Sequence, residues 1–322
     1  MKKAIAFLAF ATALTLSIGC GDGKVVQFNE LQKRGDVYVV PETQKPYSGK
    51  FITTYYGNVV REAGALKNGK LHGEITTYRE NGSIDNVITF ANGVLNGKRE
   101  SYHENGKLMR VGHYKDGNPD GKWEKYDKNG QLIWTIPYEN GIAVVERGSF
   151  SDQRDGKTYK TVKIGSQTWM AENLNYDANG SKCYKNEESN CQKYGRLYDW
   201  NTAMTSCPSG WHLPSSSEWE VLVEIADGYN VAGKKLKAKS GWNWNDGGVS
   251  GNGTDEFGFS ALPGGGYYKE WARFIDVGNH GYWWRATKDP NNLYNFRMDK
   301  DGSTRTYYQS GSNLYSVRCL QD

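Results

Sequence analysis

The chain has 322 residues and a formal net charge of +4, and glycine (39 residues), tryptophan (11) and tyrosine (22) are abundant. This length leaves room for two domains and a targeting segment. The small charge, with no clustered basic face, argues against nucleic acid as a partner. The glycine and aromatic content favours strands and turns over a helical bundle.

The start of the chain has the features of an export signal. Two lysines follow Met1, and the apolar run over residues 4–16 is too short to span a bilayer. The next residues, Leu16-Ser17-Ile18-Gly19-Cys20, resemble a bacterial lipobox, although Ser17 occupies the usual leucine position. We expect a lipoprotein signal peptide over residues 1–19 and a lipid on Cys20. The protein would then be anchored in the cell envelope, at the outer membrane or cell surface. The alternative is an ordinary signal peptide with an incidental cysteine.

Residues 20–46 are predicted to form a tether that ends in an edge strand. The strand is expected over residues 37–40, which read Val-Tyr-Val-Val, and Pro41 stops it.

Residues 47–142 repeat with a period of 24. The glycines in register are Gly49, Gly73, Gly97 and Gly121, and then Gly69, Gly93, Gly117 and Gly141. The aligned tyrosines Tyr78, Tyr102 and Tyr126 are followed by Asn81-Gly82, Asn105-Gly106 and Asn129-Gly130. The pattern of each unit predicts a strand, an Asn-Gly turn with two left-handed residues, a second strand and a second turn. The segments LHGEITTYRENG, LNGKRESYHENG and PDGKWEKYDKNG resemble MORN repeats of the YwqK-type variant. Such an array is either a binding face or a spacer.

Residues 143–322 are predicted to form the last domain. After the turn at Cys207 to Gly210, Ser215 and Glu218 have the spacing of a capping box, and the following residues repeat with helical period. At the end of the chain, YSVRCL alternates as a terminal strand does.

Five motifs of this domain occur in the same order as in one known family. They are YKTVKIGSQTWMAENLNY, YGRLYDW, CPSGWHLPSSSEWEVL, GTDEFGFSALPGG and YSVRCL. Together they resemble the Fibrobacter succinogenes major paralogous domain over roughly residues 148–322. That family is related in fold to C-type lectin-like and formylglycine-generating-enzyme domains. The resemblance implies an α+β C-type lectin-like fold and an exported protein, and it supplies no known ligand.

Four cysteines remain once Cys20 is set aside. They are Cys183, Cys191, Cys207 and Cys319. An even set in an exported protein predicts disulfides, with three possible connectivities. In C-type lectin-like folds a long disulfide brackets the domain. The resemblance therefore implies a bond between Cys207 and Cys319, with the other two cysteines closing a short loop.

No catalytic site is predicted. Formylglycine-generating enzymes need a close pair of thiols near the C-terminus, and this chain has only Cys319 there. Glu218 and Glu220 point to different sides of a helix, and Glu218 is better explained as a cap. His212 is expected to be a hydrogen-bonded, partly buried residue of a turn.

The first expectation is that the protein has no cofactor. Calcium is the alternative. The sugar-binding motif of C-type lectins is absent, since Asp289-Pro290-Asn291 follows the tryptophans instead of preceding them. Oxygen ligands of the kind calcium prefers occur in one loop. The candidates are Asp246, Asn252, Asp255 and Glu256.

The aromatic loops are the predicted ligand-binding region. The candidates are Trp242, Trp244, Tyr267, Tyr268, Trp271 and Trp284, whereas Trp283 is assigned to the core. Flat rings suit protein anchors and the apolar faces of sugars, but they could equally fill a core poor in leucine. We expect non-catalytic recognition of a polysaccharide or a cell-envelope protein. The alternative is a structural component of the envelope without a soluble ligand.

Overall fold

The computed structural model describes residues 25–287 and 293–322, and these are mostly in β-structure. Within these ranges, none of the helices has the length and apolarity needed to cross a bilayer. The expected signal peptide and Cys20 lie outside the described residues, and so does Asp289-Pro290-Asn291.

The first half of the described chain is a long sheet of hairpins. Its strands are β1 (Val26–Gln27), β2 (Gln32–Arg34), β3 (Val37–Val39), β4 (Gly49–Thr54), β5 (Val60–Lys67), β6 (Lys70–Leu71), β7 (Gly73–Tyr78), β8 (Ile84–Ala91), β9 (Val94–Tyr102), β10 (Leu108–Lys115), β11 (Asn118–Tyr126), β12 (Leu132–Glu139) and β13 (Ile142–Ala143). Eleven of them form one sheet in the order β1-β4-β5-β7-β8-β9-β10-β11-β12-β13, with β6 beside β5. The predicted all-β hairpin array is confirmed.

The segment before the repeats packs on the first hairpin. Strand β1 pairs in parallel with β4, and β2 and β3 form a separate hairpin. Phe28 lies 4.6 Å from both Tyr38 and Phe51, measured between ring centroids. The described part of the predicted tether is therefore attached to the sheet, since it covers an apolar face that the first repeat cannot cover alone.

The tight turns lie at a different place in each unit than predicted. At Asn81-Gly82 and its two equivalents, only the glycine has a positive φ. The second turn of each unit has two left-handed residues, as at Asn92-Gly93, where φ is 53° and 85°. The prediction was wrong because the first turn is longer: Arg79 N–H donates to Ser83 O, and Gly82 N–H donates to Arg79 O. Such a loop needs one left-handed residue, whereas a two-residue hairpin loop needs two.

Neighbouring units are joined by a hydrogen bond that repeats along the sheet. The amide of Gly93 donates to Leu71 O, that of Gly117 to Leu95 O, and that of Gly141 to Pro119 O, each at 2.8 Å. The left-handed glycine of each tight turn thus also links its unit to the one before it.

The C-terminal region has two five-stranded sheets, a small hairpin and four helices among its described residues. Its strands are β14 (Glu146–Ser151), β15 (Thr158–Ile164), β16 (Gln167–Met170), β17 (Leu197–Tyr198), β18 (Trp211–His212), β19 (Gly266–Tyr268), β20 (Arg273–Ile275), β21 (His280–Trp284), β22 (Tyr294–Asp299), β23 (Thr304–Tyr308), β24 (Tyr315–Ser316) and β25 (Leu320–Gln321). The helices are α1 (Glu188–Tyr194), α2 (Trp200–Ser206), α3 (Ser216–Ile225) and α4 (Ala232–Leu236), with a short 3-10 turn at Tyr184–Asn186. A second 3-10 turn, Phe28–Glu30, lies between β1 and β2. The sheets have the orders β14-β15-β16-β25-β18 and β17-β24-β21-β22-β23.

The end of the chain closes this region. Strand β25 lies between β16 and β18, and β24 belongs to the other sheet, so the single terminal strand predicted for YSVRCL is two short strands. They differ from the prediction because the chain crosses from one sheet to the other between them. Disulfides join Cys207 to Cys319 and Cys183 to Cys191. The predicted pairing is confirmed.

Helix α3 forms as its sequence predicts. The Ser215 hydroxyl accepts from Glu218 N–H, and the Glu218 carboxylate accepts from Ser215 N–H at 2.7 Å, which completes the capping box. Trp219 is buried on this helix, stacks on Phe296 at 4.4 Å and lies 4.8 Å from Trp169. The helix therefore fixes the aromatic centre of the core.

The last hairpin unit and the C-terminal region share one hydrophobic core. Trp134, Ile136 and Tyr138 of β12 belong to the same cluster as Ile164 and Ile225. Polar contacts also cross this junction: Arg110 pairs with Asp227 at 2.5 Å, and the Tyr138 hydroxyl donates to Glu256 at 3.1 Å. Lys125 pairs with Glu224.

Candidate ligand-binding face

The hairpin of β19 and β20 carries one of the two largely exposed rings among the predicted ligand-binding residues, together with a half-buried neighbour. Trp271 lies in the turn of this hairpin and is 65% exposed. The Tyr268 ring meets it edge to face, with ring centroids 5.1 Å apart. The pair thus offers a flat indole surface that is held by a second ring.

The glycines before this hairpin position it by close packing. A Cβ on Gly265 would lie 2.2 Å from Ile275 O, and one on Gly266 would lie 2.7 Å from the Tyr315 ring. Both glycines are buried. This glycine-rich segment is therefore packed in the interior, although the Trp271 side chain that follows it is exposed.

Further rings continue from the hairpin across one face of the sheet. Tyr268 packs against the cluster that contains Tyr315, and Tyr315 lies 5.0 Å from Tyr282 and 4.9 Å from Trp284. Tyr282 in turn lies 5.7 Å from His280. The exposed indole is thus supported by a continuous row of packed aromatic residues.

Charged groups end this row. The Tyr282 hydroxyl donates to Asp276 at 2.6 Å, and His280 lies 3.5 Å from both Asp276 and Asp299. Arg297 pairs with Asp299 at 2.5 Å. The neighbouring His280 imidazole lowers the pKa of Asp276, which keeps that carboxylate charged. The sheet face therefore combines rings with fixed charges of both signs.

Comparison with known protein families shows in which domain this face lies. Residues 162–321 match the Fibrobacter succinogenes major domain, and residues 95–116 and 119–140 match a MORN repeat variant. The C-terminal region carries a Fibrobacter succinogenes major domain. No curated protein matches the chain. The Trp271 hairpin lies inside the major domain, and the hairpin sheet contains the MORN repeats.

Two predicted ligand-binding residues of the major domain are in its interior. Trp242 and Trp284 are 4% and 0% exposed. The Trp242 indole N–H donates to Ala261 O at 3.0 Å, and that of Trp284 donates to Tyr198 O at 2.7 Å. The prediction for these two was wrong, because counting rings along a loop does not tell which of them face the core.

The remaining aromatic candidates are accessible to different extents. Trp244 is 67% exposed, whereas Tyr267 and Tyr268 are half-buried. The loop of Trp244 is held by Asn243 N–H, which donates to Gly278 O at 2.8 Å. Trp283 is fully buried, as predicted.

The calcium candidates are engaged with separate protein partners. Asp246 pairs with Lys300 at 2.6 Å, and Glu256 pairs with Lys235 at 3.0 Å. Asp255 accepts from Ser260 N–H and Oγ, and Asn252 accepts from Trp242 N–H. The structure does not bring their oxygens into one cluster of carboxylates.

One group of potential metal ligands does occur in the described chain. Cys183, Glu188 and Cys191 have ligand atoms within 4.8 Å of one another. The two sulfurs are bonded to each other, so neither is a thiolate that could bind a metal.

His212 joins the capping box to the end of the chain. Its Nδ1 lies 2.6 Å from Asp322 and its Nε2 lies 3.0 Å from Glu218. Burial opposes the charged imidazolium, but these two carboxylates raise the pKa of His212 above its ordinary value. The expected hydrogen-bonded, partly buried histidine is confirmed.

The sequence did not predict the charged residues of the sheet face. Asp276 and His280 are four residues apart, and Arg297 and Asp299 alternate on one strand. The alternation places Arg297 and Asp299 on one side of β22. That signal was available, but only the pairing of β21 with β22 shows that both pairs meet.

Proposed function

We propose that the protein is a lipid-anchored envelope protein whose major domain recognises a polysaccharide through the Trp271 hairpin, without catalysis. The domain families and the two disulfides fit a surface protein. The exposed indole of Trp271, held edge to face by Tyr268, is the observation that carries the proposal.

Binding at the Trp271 hairpin requires little ordering of the protein surface. An aromatic ring offers a large contact area for few rotatable bonds, and a ring already held by packing loses little freedom on binding. Apolar sugar faces stack on such rings, while the nearby charged groups suit hydroxyls. We further propose that the major domain has a C-type lectin-like fold, which the long disulfide and the paired chain ends support.

The test is binding of the full chain to a panel of plant and bacterial polysaccharides. Trp271→Ala should lower the affinity for the bound glycan about tenfold or more, since aromatic anchors often contribute about 2 kcal/mol. Tyr56→Ala is the matched control, because Tyr56 is a fully exposed ring in the turn after β4 of the hairpin sheet. If no glycan is retained, the proposal fails and a structural role in the envelope is favoured.

Two further measurements address the anchor and the metal. Mass spectrometry of the mature N-terminus should find a lipid on Cys20, and an unmodified thiol there would contradict the anchor. A melting temperature that does not change on chelation would remove calcium as a ligand.

A further inference from the structure

A cavity of the C-terminal region lies away from the Trp271 hairpin. It has a volume of about 670 Å³ and lies between β14 and β15, helix α1 and the loop of residues 255–262. This size accommodates a sugar of one or two rings. None of its lining residues belongs to β19 or β20, so it is separate from the proposed polysaccharide face.

The walls of this cavity carry more positive than negative charge. The basic lining residues are Arg147, Lys157, Lys160 and Lys193, and the acidic ones are Glu172 and Asp255. Glu172 accepts from Lys160 N–H at 2.9 Å, and Asp255 is occupied by Ser260. Within the described chain, Arg147 and Lys193 form no ion pair. Two exposed cations are therefore available to a ligand.

A buried cation adds to this charge from behind the cavity wall. Arg318 is 1% exposed and forms no salt bridge among the described residues. Its Nε and Nη2 donate to Asn173 Oδ1 at 3.1 and 2.8 Å, and its Nη1 donates to Phe259 O. Asn173 lines the cavity. The carboxylates of Asp255 and Glu172 act on Arg318 only from a longer distance, and a buried cation without a directly bonded carboxylate favours a further negative charge nearby.

Neutral polar groups complete the lining. Thr158, Thr161, Ser260 and Gln192 offer hydroxyl and amide groups. Asn175 also lines the cavity, and its Oδ1 is buried without a hydrogen-bond partner. Groups of this kind bind hydroxyls, and an unsatisfied acceptor is stabilised by a ligand donor.

We propose that this cavity binds an acidic sugar of the uronate class. The carboxylate faces the positive wall formed by Arg147 and Lys193, and the ring hydroxyls face the threonine, serine and amide groups. A neutral sugar would leave the excess positive charge uncompensated, so the site selects for the acid.

The experiment is titration calorimetry of the full chain with four probes: glucuronate, galacturonate, glucose and inorganic phosphate. We expect a uronate to bind, glucose to bind at least tenfold more weakly, and uronate affinity to fall as salt rises. The variant with both Arg147→Gln and Lys193→Gln should bind the uronate about 25-fold more weakly, about fivefold for each exposed charge.

The controls separate this site from the polysaccharide face. Lys115→Gln removes an exposed lysine of the hairpin sheet and should leave uronate binding unchanged, as should Trp271→Ala. A melting temperature equal to that of the natural chain shows that the double variant is folded. Equal binding of glucose and uronate, full affinity in the double variant, or binding of phosphate alone would each overturn the proposal.

Discussion

In the hairpin sheet, contacting residues are close in the chain, whereas in the major domain they are far apart. Each MORN-type unit is linked to its predecessor by an amide hydrogen bond such as that of Gly93 to Leu71 O. The major domain instead relies on a disulfide between residues separated by 112 positions and on β25, which pairs with β16 and β18. The sheet can therefore tolerate local change, while the major domain depends on a few distant links.

The long disulfide offers the largest test of that difference. Replacing Cys207 and Cys319 with alanine should destabilise the major domain by about 5 kcal/mol, because the disulfide removes the entropy of a long loop from the unfolded chain. The matched pair Cys183→Ala and Cys191→Ala opens a loop of separation 8 and should cost about 2.5 kcal/mol. Urea unfolding under non-reducing conditions measures both, and equal losses would contradict the account.

Two buried isoleucines test whether the regions unfold together. Ile136 and Ile75 are each 2% exposed, the first in the shared core and the second in the core of the early repeats. Replacement by alanine should cost about 2–5 kcal/mol at either position. Hydrogen exchange should show lost protection in the major domain for Ile136→Ala alone. Loss there for Ile75→Ala as well would mean that the whole chain unfolds as one unit.

The turn geometry predicts a smaller difference between two asparagines. Asn92 has a φ of 53°, whereas Asn129 is not left-handed, and both side chains are exposed. Asn92→Ala should therefore cost about 1 kcal/mol more than Asn129→Ala, since alanine is strained in the left-handed region. Thermal unfolding of the two variants measures the difference, and identical midpoints would refute the assignment of the tight turns.

The smallest effect concerns pH. The raised pKa of His212 means that its ion pairs stabilise the fold below pH 6.5 and are lost as pH rises through the folded pKa. The lowered pKa of Glu218 has the opposite sign, so its contribution is lost as pH falls below 4.5. The stability difference between the natural chain and His212→Gln should thus be largest between these values and shrink above them. Melting temperatures from pH 5 to 9 test this, and a constant difference would contradict it.

The sequence was informative where one local rule decides the structure. The period of 24, the capping box of Ser215 and Glu218, and the resemblance that implied the Cys207–Cys319 bond all led to features of the fold. These features depend on spacing along the chain or on motifs shared within a family.

The sequence was less informative where the structure depends on contacts between distant segments. Trp242 and Trp284 were assigned to the surface although both are buried, because their facing depends on which strands pair. The core shared by Ile136 and Ile225, and the cavity in front of Arg318, have no signature in any single segment. Their members come together only through the order of strands in the sheets.

The linkage between hairpins has a consequence for how far the protein extends. Every unit adds two strands, and adjacent strands are spaced about 4.8 Å apart, so inserting or deleting 24 residues moves the N-terminal end by roughly 10 Å. The hydrogen bonds between units stay the same, since the Gly117 amide and its equivalents each donate to the corresponding carbonyl of the preceding unit. Insertion or deletion of whole 24-residue units would therefore change the length of the hairpin sheet in fixed steps and leave the major domain unchanged.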